Sequence, residues 1–227
     1  MNLRNAFESI LAKYKKFGKG NVRLTQSELI SVVPIDADKQ RYIFPILESD
    51  PNGNGVLLNI NDEFIVTHIG YYVAGQQIYK AGGERDDIEV TRFYTYPFIE
   101  ISPEFTAIGD AWNGTLNIEV NNINYIDKWG LLKHQIVPRT QYEDYTAGIR
   151  PATFPSMEYK TDGVYPVTPM ITFSGAKKNK ITVDLFENVA PVPNQTWLVK
   201  NGDININAQG LVMYFRGFLA QNASNFQ

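Results

Sequence analysis

The chain has 227 residues, 44% apolar and 20% charged, with a net charge of −3 and no cysteine. That length can bury a sizeable core unaided, and the missing thiols exclude disulfides, thiolate metal sites and cysteine nucleophiles. The mild negative charge excludes a protein that is polycationic throughout, and no run of 18 apolar residues is present to cross a membrane as a helix.

The first element is helical. Leu3, Phe7, Ile10, Leu11, Tyr14 and Phe17 recur at helical spacing, with Arg4, Asn5, Glu8, Ser9, Lys13 and Lys16 on the other side. The spacing predicts an amphipathic helix of about four turns that stops at Gly18 and Gly20. Residues 1–23 carry net +5, from Arg4, Lys13, Lys15, Lys16, Lys19 and Arg23 against Glu8, and the remainder carries −8. Residues 1–21 therefore read as an arm with its own task. The N-terminus lacks an apolar signal region, so folding in a cytoplasm is expected.

From Val22 onward the period shortens to two. Strands are predicted at Val22–Val33, Arg41–Leu47, Val56–Ile60, Phe64–Val73, Val90–Ile101, Thr115–Val120 and Leu131–Val137. Others follow at Val167–Phe173, Lys180–Phe186, Thr196–Val199, Asp203–Ile206 and Leu211–Leu219. Leu116/Ile118/Val120 and Ile181/Val183/Leu185 give the cleanest alternation. Turns are expected at residues 51–55, Asn113-Gly114, Asp162-Gly163 and Asn201-Gly202, the last as a type I′ hairpin. Residues 139–160 lack periodicity and read as a long loop. No helical segments alternate with the strands, so the expectation is a mainly-β antiparallel sandwich or barrel over residues 22–227, preceded by the helical arm.

Groups that carry chemistry are sparse. The two histidines, His68 and His134, each lie in an apolar strand-like run and read as packed side chains. Neither forms a spacing suited to zinc. Phe173-Ser174-Gly175 reads as a strand end because no Gly-x-Ser-x-Gly elbow is present. Glu100, Glu104 and Asp110 are the carboxylates a sandwich glycosidase would use. Glu84-Arg85-Asp86-Asp87-Ile88-Glu89 reads as a solvated loop rather than a calcium site. Sequons at Asn113, Asn194 and Asn222 read as chance matches. No catalytic, cofactor-binding or metal-ligating residue is assigned.

The arm has three readings: docking on its own sandwich, burying its apolar stripe on a neighbouring subunit, or contacting nucleic acid, a membrane surface or the shell through Lys13, Lys15, Lys16 and Lys19. Four segments then carry a resemblance. They are Ala111-Trp-Asn-Gly-Thr-Leu-Asn-Ile-Glu-Val-Asn-Asn, Trp129-Gly-Leu-Leu-Lys-His-Gln-Ile-Val-Pro-Arg-Thr-Gln, Val164-Tyr-Pro-Val-Thr-Pro-Met-Ile-Thr-Phe-Ser-Gly and Leu211-Val-Met-Tyr-Phe-Arg-Gly-Phe-Leu-Ala-Gln-Asn. Together they resemble virion structural proteins of phages of Bacteroidetes-type hosts, by pattern over most of the chain rather than by a signature. The resemblance implies a jelly-roll capsid or capsid-associated subunit, made in the host cytoplasm and resident in the virion. It also implies partners in itself and other virion proteins, no cofactor, and no catalytic residues. The rival expectations are a receptor- or carbohydrate-binding module of a fibre or spike, and a sandwich glycoside hydrolase.

Overall fold

The computed structural model describes residues 3–16, 22–81, 88–94, 103–135, 163–199 and 202–223. The elements in chain order begin with α1 (Leu3–Lys16), β1 (Arg23–Pro34), β2 (Arg41–Ile43), β3 (Gly55–Val56), β4 (Glu63–Ala81) and β5 (Ile88–Tyr94). A 3₁₀ helix at Pro103–Trp112 leads into β6 (Gly114–Val120) and β7 (Ile123–Gly130), and a second 3₁₀ helix spans Leu131–His134. The chain continues with β8 (Val164–Ser174), β9 (Asn179–Leu185), β10 (Val192–Val199), β11 (Gly202–Ala208) and β12 (Gly210–Gln221).

The strands form two antiparallel sheets. The larger is eight-stranded, in the order β10-β11-β4-β12-β1-β3, with β5 and β8 also on β4. Long β4 is its axis. Residues 63–74 of β4 pair with β12 on one side, and 63–70 with β8 on the other; further along, β11 and β5 take the same two sides. The smaller sheet runs β2-β9-β6-β7. Pro166 and Pro169 sit in β8, which pairs only with β4, so the edge tolerates their missing N–H groups.

Alternation explains the core. Leu116, Ile118 and Val120 of β6 and Ile181, Val183 and Leu185 of β9 point inward from the smaller sheet. They meet Leu29, Phe64, Val66, Ile69, Tyr71, Val73, Ile171, Phe173, Leu211, Met213 and Phe215 from the larger. In β4 the inward parity changes from even at Phe64 and Val66 to odd at Ile69, Tyr71 and Val73. One extra residue causes the change: against β12 the register jumps from Arg216↔His68 to Gly217↔Val66, leaving Thr67 in a bulge. Thr67 Oγ1 donates to the Arg216 carbonyl at 2.9 Å, which fixes the bulge. Phe173 and Phe215 meet edge to face, with centroids 5.1 Å apart. Each buried ring of this kind contributes roughly 1.5–3 kcal/mol. The first 3₁₀ helix is tied to β4 where the fully buried Tyr71 hydroxyl donates to the Ala111 carbonyl at 2.9 Å.

The sandwich and the N-terminal helix therefore match the expectation, and the local corrections are specific. The predicted strand at Leu131–Val137 is a 3₁₀ helix over Leu131–His134, because Leu131 and His134 must both point inward and three-residue spacing achieves this. Strand β7 was not expected. It pairs with β6 through a two-residue turn at Asn121 and Asn122, whose φ of 52° and 64° are the two positive values of a type I′ turn. Gly114 is the first residue of β6, not a turn residue. Gly202 likewise opens β11 opposite Val199 rather than occupying the hairpin turn. The predicted glycine stop at Gly18 and Gly20, and the loop at 139–160, lie outside the described residues. Among the described residues no helix is long and apolar enough to cross a membrane.

Candidate functional site

The arm packs on its own sheet. Ala6, Ile10 and Tyr14 of α1 are buried against Ile65 of β4, Phe218 and Ala220 of β12, and Ala223. Phe7 packs edge-on against Phe218 at 5.6 Å, and Leu11 is half-buried. The Tyr14 hydroxyl donates to Glu63 Oε2 at 2.7 Å, and burial followed by this carboxylate pushes the phenol far above its ordinary range. In the single chain the expected stripe thus covers the outer face of the larger sheet. Lys13 and Lys15 are exposed on the solvent side of α1. The side chains of Leu3, Lys16, Phe17 and Lys19 lie outside the described residues.

The two histidines are separately engaged. His134 is fully buried: Nδ1 donates to the Gly163 carbonyl, and Nε2 accepts the Trp129 indole N–H at 2.9 Å. Desolvation lowers its pKa to about 4, opposed by the Gly163 hydrogen bond and reinforced by Lys133. It is a packed side chain, but on a 3₁₀ helix rather than a strand. His68 stands on β4 between Arg216 and Pro166 in register, with Nδ1 2.9 Å from Thr67 Oγ1. Desolvation, then the Arg216 charge, lowers its pKa. Ser174 ends β8, and its buried Oγ has no hydrogen-bond partner.

Of the carboxylates, Asp110 is half-buried on the first 3₁₀ helix and Glu104 is on that helix, its side chain outside the described residues, as is Glu100. Residues 84–87 also lie outside. Among the described residues no three His, Cys, Asp or Glu side chains come together as a metal site would require.

Two surface features emerge that the sequence alone did not single out. Ile60, Val56, Ile123, Tyr125, Leu132 and Phe186 are large apolar side chains between 40% and 64% exposed. Val56 belongs to the edge strand β3, and Ile123 and Tyr125 follow the Asn121-Asn122 turn in β7.

The second feature is a groove of about 330 Å³ across the outer face of the smaller sheet. It is lined by Arg41 and Ile43 of β2, Lys180, Thr182 and Asp184 of β9, Asn117 and Glu119 of β6, and Asn124 of β7. Register assembles it: Arg41 lies opposite Asp184, Ile43 and Asn117 opposite Thr182, and Lys180 and Asn124 opposite Glu119. Arg41 Nε donates to Asp184 Oδ1, raising the guanidinium pKa, and Asn117 Nδ2 donates to Asp184 Oδ2 at 3.3 Å. Asn117 Oδ1 accepts the Lys128 N–H at 2.9 Å, so both ends of that amide are held. Comparison with known protein families, curated proteins and solved structures finds no match to this chain.

Proposed function

We propose that the chain is a structural subunit of a phage virion, a capsid or capsid-associated protein of jelly-roll type. The connectivity carries the reading. With β1, β2, β4, β6, β7, β8, β9 and β12 numbered one to eight in chain order, one sheet runs 1-8-3-6 and the other 2-7-4-5. That order supports a jelly roll of two Greek keys, an architecture used by capsid and lectin domains. Among the described residues the space between the sheets is filled by apolar side chains from both. Strands β3, β5, β10 and β11 are additions to the eight.

Exposed Val56 and Ile60 beside an edge strand, with Ile123 and Tyr125 on β7, give a self-associating protein apolar contacts to bury. Exposed Lys13 and Lys15 of α1 give phosphate or an acidic neighbour cations to meet. Light scattering after size exclusion, with negative-stain imaging, tests the proposal over a concentration series. Higher-order species that grow with concentration are expected, reduced by Val56→Lys and Ile123→Lys at unchanged melting temperature. A protein that stays monomeric throughout and never co-sediments with particles sinks the proposal.

A further inference from the structure

We infer that the groove on the outer face of the smaller sheet is a binding site for a neutral saccharide. The volume, about 330 Å³, lies at the small end of the range for small-molecule sites, the size of one or two sugar rings. Its polar groups are set but not saturated. Thr182 is only 7% exposed, lines the groove, and its hydroxyl makes no hydrogen bond. Its oxygen stays open to the groove, where a ligand hydroxyl can take the place of water on it. Lys180 and Glu119 face each other in register yet form no ion pair, and Asn124 opposite Glu119 keeps its amide free.

Beside these open groups, Asp184 is hydrogen-bonded to Arg41 and Asn117, and Asn117 in turn to the Lys128 N–H. The lining charges cancel, with Arg41 and Lys180 against Glu119 and Asp184, so a strongly charged ligand would meet repulsion from one pair or the other. Sugar hydroxyls, each a donor and an acceptor, use both signs of group at once. Ile43, 61% exposed in the groove wall, offers a C–H surface to the apolar face of a ring.

The site is independent of the virion assignment, because sugar binding needs no assembly and assembly needs no sugar. The test is an array of immobilised neutral mono- to tetrasaccharides, with sialylated and sulfated glycans in parallel, followed by calorimetry with the best free sugar. Neutral glycans should bind, and Glu119→Gln and Thr182→Val should each weaken binding about tenfold or more while the melting temperature holds. An array blank for neutral sugars, a response confined to anionic glycans, or folded variants that bind as well as the parent protein would each overturn the assignment.

Discussion

His134 keeps both ring nitrogens occupied, one giving its proton to Gly163 and the other taking one from Trp129, in a site that water does not reach. With its pKa held near 4, below the ordinary 6.5, the folded protein binds this proton less readily than the unfolded chain. The stability from the neutral ring is therefore complete above pH 6.5, falls as pH drops toward 4, and changes no further below that. The total is about 3 kcal/mol. Urea unfolding across that range should show the loss, and His134→Phe should flatten it. An unchanged slope in the variant would assign the acid loss to carboxylates instead. Gly217 makes a second prediction. A Cβ there would lie 1.9 Å from the Ile65 carbonyl oxygen, where the Thr67 bulge brings β4 against β12. Gly217→Ala should cost about 3 kcal/mol or prevent folding, as read from its melting curve.

At the scale of elements, α1 is held by a small apolar cluster, so Ile10→Ala should destabilise the protein by about 2–4 kcal/mol and increase binding of a hydrophobic dye. A variant as stable as the parent would mean the helix docks elsewhere. The elements that were legible had one wet and one dry face. Strands β6 and β9 alternate cleanly because only one side of each touches the core. Strand β7 was illegible for the opposite reason: apart from Ile126 and half-buried Trp129 its residues are exposed, and two register shifts break its period. Strand β4 was expected to stop at Val73, but it continues through Gln76 and Gln77, where pairing with β5 and β11 holds the backbone extended in place of apolar periodicity. The short 3₁₀ helices left no pattern long enough to separate from a strand.

For the whole molecule, the sandwich could be read from sequence, whereas the groove could not. Apart from Ile43, its lining residues are the polar members of alternating strands, which a search for the core discards, and only the sheet register collects Arg41, Asn124 and Asp184 from positions far apart in the chain. The apolar stripe of α1 was visible, but its partner was not, since a stripe does not specify which surface it covers. The placement of β12 has a further consequence. This strand lies between β4 and β1, is almost wholly buried, and is formed from residues 210–221, after every other strand. A nascent chain lacking it holds an open slot through the middle of its main sheet, so no stable sandwich can form before that segment has left the ribosome. Ending the chain at Gln209 should abolish the cooperative unfolding transition altogether. During synthesis on crowded polysomes, an unfilled slot would also accept the same strand from a neighbouring copy. Release of residues 210–221 would thus decide whether each copy closes on itself or exchanges the strand with another.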